Sequence, residues 1–201
     1  MSIQAVIFDV GGVFIRTEGR TARRKWEARL GLPEMELGRA IFGSEISARL
    51  AIGQATEPEV WRHVATQFGL NEEQMRELER DYWSDDWLDV ELVQFVRDLR
   101  PAYKVGILSN AWPEARETLT VKFKLADEVD VMILSAEVGC AKPDPRIYQI
   151  AVEQLGVRLD EAVFVDDMAR NVAAAQALGM RGILFQSTAQ TIAEIKQYLD
   201  E

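Results

Sequence analysis

The sequence predicts an α/β fold, a doubly wound parallel sheet with an all-helical domain inserted into it. Three observations carry that expectation. An apolar run from Ile3 to Phe8 opens the chain, and charged amphipathic stretches without a convincing strand fill the region from about Glu18 to about Arg100. Beyond that region, short apolar runs alternate with helical segments. Such alternation calls for parallel strands joined by right-handed crossovers, with helices on both faces.

Ile3 to Phe8 is rich in Ile, Val and Phe and has no helical spacing of polar positions, so it reads as a strand buried on both faces. It stops at Asp9, and Gly11-Gly12 then lets the backbone turn sharply. Helices are expected at Thr21 to Leu30, Glu45 to Ile52, Pro58 to Phe68, Asn71 to Trp83 and Val90 to Leu99. Gly31, Gly53 and Gly69 act as stops, and Asn71 followed by Gln74 resembles a capping box. Thr56-Glu57-Pro58 and Ser84-Asp85-Asp86 read as turns. Further strands are expected at Lys104 to Leu108, Val131 to Leu134, Ala162 to Val165 and Gly182 to Phe185. Helices at Pro143 to Leu155, Met168 to Leu178 and Thr191 to Leu199 complete the alternation.

What ends each apolar run matters for function. The first ends in Asp9, the second in Ser109-Asn110, and the run ending at Asp166-Asp167 in a pair of acids; the run ending at Leu134 leads to Lys142-Pro143-Asp144. In a parallel sheet these groups gather on one edge, where ligands bind because the loops diverge. Clustered carboxylates raise one another's pKa unless a cation sits among them. Oxygen donors with no His or Cys nearby favour Mg²⁺ over zinc, and Mg²⁺ shares its coordination with substrate phosphate. With a lysine, a hydroxyl and a glycine-rich turn, the set suits phosphoryl chemistry. Each residue also has a plainer reading. Asp9 and Ser109 can cap turns or helices, Lys142 can be a solvated loop residue, and Asp166-Asp167 can cap a helix N-terminus.

A chain of 201 residues, 48% hydrophobic and 28% charged, can bury a full core. A net charge of -10 disfavours nucleic acid and anionic membrane partners. The single cysteine, Cys140, excludes an internal disulfide; with no leader pattern and no spanning apolar stretch, a cytoplasmic location is expected. Trp26, Trp61, Tyr82, Trp83 and Trp87 are expected to pack helix against helix, and the lone His63 to lie partly buried on a helix.

The motifs FDVGGV, ILSN, KPDPRIY and VFVDD followed by Asn171, in that order, resemble those of the haloacid dehalogenase-like (HAD) hydrolases, most of which are Mg²⁺-dependent phosphatases. The resemblance spans nearly the whole chain. It implies a Rossmannoid core from residues 1–15 and 96–201, a helical cap from 16–95, and the Asp9 strand lying between those of Ser109 and Asp166. A receiver domain also gathers acids, a hydroxyl and a lysine, but there the acidic pair comes first along the chain. The family likeness implies that Asp9 is the nucleophile and ligates Mg²⁺ with the Gly11 carbonyl and Asp167, Asp166 being in the first or second metal shell. It implies that Ser109, with the main chain at Gly11 and Asn110, holds the phosphoryl group, and that Lys142 ties it to the nucleophile. A small phosphorylated substrate and a monomer or homodimer follow as expectations.

One position departs from the pattern. Where these phosphatases carry a second Asp, which protonates the leaving group and then activates water, this chain has Gly11. Loss of such a group slows turnover by roughly 10²–10⁴-fold without abolishing metal or phosphate binding. Glu18, His63 and Glu114 are conceivable substitutes that spacing does not place. Two other functions stay open: a catalytically weakened binding or interaction protein, and a 2-haloacid dehalogenase, whose relatives also lack the second Asp but for which Asp166-Asp167 would repel a carboxylate substrate.

Overall fold

The computed structural model describes residues 2–200. Strand β1 (Ala5–Phe8) lies at the centre of a five-stranded sheet with β4 (Lys104–Ser109), β5 (Val131–Leu134), β6 (Ala162–Asp166) and β7 (Arg181–Leu184), in the order β5-β4-β1-β6-β7. Every pairing is parallel, and β1 is flanked by β4 and β6 as expected. β1 is buried at every position because both faces are covered. On one side α6 (Val90–Leu99) and α11 (Thr188–Leu199) contribute Leu92, Val96 and Ile195 to the core. On the other, α9 (Pro145–Leu155) and α10 (Ala169–Ala177) contribute Ile147, Tyr148 and Ala175. Short helices α7 (Ala115–Glu117) and α8 (Ser135–Val138) follow β4 and β5.

The inserted helices have a core of their own. Helices α1 (Thr21–Arg29), α2 (Glu36–Phe42), α3 (Glu45–Leu50), α4 (Glu57–Phe68) and α5 (Glu72–Tyr82) enclose Trp26, Leu37, Ile41, Leu50, Trp61 and Leu78. The capping box of α5 forms as read: Gln74 N–H donates to Asn71 Oδ1 at 2.9 Å, and Asn71 N–H donates to Gln74 Oε1 at 3.0 Å. The span 16–95 thus divides between two cores, since α6 packs on the sheet rather than among the helices of the insertion.

Three readings of the insertion are corrected. Helix α2 falls in a stretch where no helix was expected; Pro33, a left-handed Met35 at its start and an internal Gly38 all weaken the local helical signal. The region also contains a strand, β3 (Asp86–Leu88), so Asp86 is not part of a turn, and it pairs antiparallel with β2 (Ile15–Thr17). Three residues are too few to show a period of two, so only the partner strand reveals it. His63 is exposed rather than partly buried.

The β2–β3 ribbon joins insertion to sheet and is fastened by a buried carboxylate. Asp89 accepts from the Arg16 guanidinium at 2.8 Å and from Leu92 N–H at 3.0 Å, and Thr188 Oγ1 donates to it from α11. The Arg16 guanidinium also lies over the Trp87 ring at 4.5 Å. Replacing Asp89 by Ala leaves Arg16 and Thr188 without their acceptor. The Asp89→Ala chain is expected to lose about 3 kcal/mol of stability by urea unfolding; a loss below about 1 kcal/mol, the range of an exposed ion pair, would show the fastening to be ornamental.

Candidate active site

Three neighbouring strand ends bring the distant residues together. Asp9 follows β1, and its N–H donates to Val165 O at 2.8 Å, which ties the tip of β1 to β6. Asp166 ends β6, Ser109 ends β4, and both are buried. Lys142, on the loop before α9, is almost wholly buried and reaches both acids: its Nζ lies 2.9 Å from Asp9 Oδ1 and 2.6 Å from Asp166 Oδ2. Asp9, Asp166 and Asp167 each present an oxygen within 4.8 Å of the others.

The two acids of the pair play different parts. Asp166 is saturated with donors: Met168 N–H at 2.8 Å, Asn171 Nδ2 at 3.0 and 3.1 Å, and Lys142. Tyr148 Oη in turn donates to the Asn171 carbonyl at 2.9 Å. Asp167 is exposed and lies against the Gly11-Gly12 turn. A Cβ on Gly12, which has φ +78°, would lie 2.3 Å from Asp167 Oδ2, so only glycine lets that carboxylate approach. At Gly11, by contrast, an added Cβ would meet nothing within 4 Å.

Asn110 does more than the sequence suggested. Its side chain clamps the lysine loop, with Lys142 N–H donating to Oδ1 at 2.7 Å and Nδ2 donating to the Lys142 carbonyl at 2.9 Å. The next residue, Ala111, donates its N–H to Ser135 Oγ at 3.0 Å. Sequence reasoning missed the roles of Asn110, Ser135 and Tyr148 as supports. Only the polar character of Asn110 beside Ser109 hinted at one of them.

Burial lifts the Asp9 carboxyl from 3.8 to about 6; Lys142 opposes the shift and Asp166 adds to it. Partial burial and Asp166 also push Asp167 up. Carboxylates crowded together at this edge, Asp9 and Asp166 buried and Asp167 exposed, suit a hard cation. The donor set of carboxylate oxygens and the Gly12 cradle fit Mg²⁺, which Asp9 and Asp167 would hold. Cys140, close by in sequence, is buried and its thiol is pushed up by burial, so it is a packing residue.

The edge opens into a cavity of about 560 Å³ between sheet and insertion, whose lining includes Gly11, Gly12, Ser109 and Asn110. Glu114 also lines it, whereas Glu18 and His63 do not. Of the aromatic residues expected to pack, Trp26 and Trp61 are buried in the insertion's core, while Trp83 faces the cavity with Phe42 and Trp112.

The chain is similar to known proteins in sequence and fold. The profile of the haloacid dehalogenase-like hydrolases matches residues 3–179. A phosphatase of Mycobacterium tuberculosis (strain CDC 1551 / Oshkosh) is 35% identical over 207 residues, covering 95% of this chain and 91% of that protein. A structure described as a predicted HAD-like family hydrolase from Porphyromonas gingivalis superposes with TM-score 0.79 at 23% identity, covering 100% of both chains. A HAD family enzyme of Bacteroides thetaiotaomicron, solved with magnesium and inorganic phosphate, superposes with TM-score 0.75 at 21% identity, covering 93% of this chain and 96% of that one.

The raised carboxyl carries a sign. Below about 6 Asp9 keeps a proton that a cation must displace. Without metal, the favourable contribution of protonated Asp9 to stability is present below its unfolded value of 3.8 and is lost as pH rises through about 6. Calorimetry is expected to show Mg²⁺ affinity falling below that pH by up to about ten-fold per unit for each proton displaced. Affinity that stays flat between about pH 5 and 7 would contradict a cation seated on Asp9.

Proposed function

The chain belongs to the haloacid dehalogenase-like hydrolases, and from that premise we propose that it is a Mg²⁺-dependent phosphatase of a small phosphorylated metabolite. The observation that carries the reading is the buried ammonium of Lys142 shared between Asp9 and Asp166, with Asp167 beside them and the neighbouring Gly11, Gly12, Ser109 and Asn110 lining the cavity.

Asp9 is the nucleophile. Its free carboxylate oxygen attacks phosphorus in line, the bond from phosphorus to the leaving oxygen breaks, and an aspartyl-phosphate forms that water then hydrolyses. Lys142 keeps Asp9 ionised and oriented, and its charge offsets that developing on the phosphoryl oxygens. Ser109 and the main-chain N–H groups of the Gly11 and Asn110 loops hold those oxygens. Asp166, already saturated by four donor contacts, is a positioning residue for Lys142. A bound Mg²⁺ would neutralise phosphate charge and orient it towards Asp9. The carbonyl of Gly11 remains available as a further ligand.

Gly11 leaves the leaving oxygen without its usual acid, so hydrolysis is slow and favours good leaving groups. There is room to begin restoring it, because a Cβ at that position meets nothing within 4 Å. Hydrolysis of p-nitrophenyl phosphate is expected to need Mg²⁺ and to vanish with chelator or in Asp9→Asn. In Gly11→Asp, kcat for a poor alkyl leaving group is expected to rise at least about ten-fold. Turnover that survives Asp9→Asn, or release of chloride from 2-chloropropionate in chelator, would overturn the reading.

A further inference from the structure

The cavity has two ends of different chemistry. One is the phosphoryl site; the other is walled by Phe42 and Trp83 from the insertion and Trp112 from the loop after β4. Their ring centroids lie 5.3 Å (Phe42–Trp112), 6.0 Å (Phe42–Trp83) and 6.2 Å (Trp83–Trp112) apart, so the three form a mutually contacting box.

Carboxylates from three separate elements line the same space: Glu57 at the start of α4, Glu79 on α5, and Glu114 beyond Trp112. Burial raises the Glu57 pKa, and Glu114 and Glu79 raise it further, while Trp61 Nε1 donates to Oε1 at 3.0 Å and works against the shift. Asp86 also lines the space, and among the described residues the lining's two cations form no ion pair with the three glutamates. Arg23 is engaged with Asp86 at 2.7 Å and lies over Tyr82 at 4.1 Å, and Lys122 lies over Phe123 at 4.9 Å.

Three kinds of leaving group can be weighed against such a wall. A second anionic group would face three carboxylates and be repelled. An uncharged apolar group would strip water from them and replace none of their hydrogen bonds, which is costly. An ammonium would donate charge-assisted hydrogen bonds to the carboxylates and rest on the ring faces.

We propose that this end of the cavity is a binding site for a protonated amine, and that the substrate is a phosphorylated amino alcohol. As a substrate assignment it rests on the phosphatase reading; the amine site itself is tested without turnover. Ethanolammonium chloride titrated into the wild-type protein is expected to change tryptophan fluorescence saturably at millimolar concentration, where ethylene glycol does not, and the response is expected to disappear in Glu57→Gln/Glu114→Gln. Glutamine keeps the acceptor for Trp61, and Glu79→Gln provides a second, independent probe.

With turnover, kcat/KM for phosphoethanolamine is expected to exceed that for 2-hydroxyethyl phosphate about ten-fold, and the ratio to fall towards unity in the double variant. Equal or better use of butyl phosphate or phosphoglycolate, or a ratio indifferent to the two glutamates, would overturn the proposal while leaving p-nitrophenyl phosphate hydrolysis and the phosphatase reading intact. Ethanolammonium binding with no phosphomonoester turnover would instead sustain the amine site and remove the phosphatase reading.

Discussion

One ammonium group, that of Lys142, makes the rest of this sheet edge possible. Asp9 and Asp166 end adjacent parallel strands, so the fold places two carboxylates side by side in a region of low water content. Unpaired, each buried charge costs several kcal/mol, an unstable arrangement for a protein of ordinary stability. Lys142 answers both, and the chain spends other residues on holding it: Asn110 clamps its main chain, and Asn171 and Met168 N–H fix the carboxylate of Asp166 from the other side. With Asp166 satisfied, Asp9 and Asp167 keep the remaining capacity for a cation.

The Gly11-Gly12 turn shapes the same edge by what it lacks. Gly12 has no side chain because Asp167 occupies that space, and Gly11 has none although the space is empty. The first is a steric requirement; the second is not imposed by sterics, and on the proposed reading it is where a proton carrier is missing. On the proposed phosphatase reading, such a site would keep phosphoryl binding more readily than rapid turnover, and the wall to which the insertion contributes Phe42, Glu57, Glu79 and Trp83 would do more of the discrimination.

The sheet was legible because buried parallel strands are continuous apolar runs and the polar residue ending each is conspicuous: Asp9, Ser109 and Asp166 could be placed on one edge before any coordinates. The capping box at Asn71 was legible because it is local. What escaped depends on contacts distant in sequence. β3 is three residues that become a strand only against β2, α2 carries an internal Gly38, and Asn110 reads as a neighbour of Ser109 until its side chain is seen on the lysine loop. The cavity wall left no pattern at all, since its glutamates and rings come from four elements whose mutual placement no periodicity encodes.

The most direct measurement is the anomalous scattering of crystals soaked in Mn²⁺, a cation that takes the same oxygen ligands as Mg²⁺. The expected density is a single peak bounded by the carboxylates of Asp9 and Asp167, with Lys142 still bridging Asp9 and Asp166. A peak elsewhere, no peak at saturating Mn²⁺, or a Lys142 side chain swung away from both acids would contradict the view that this ammonium organises a cation site for phosphoryl chemistry.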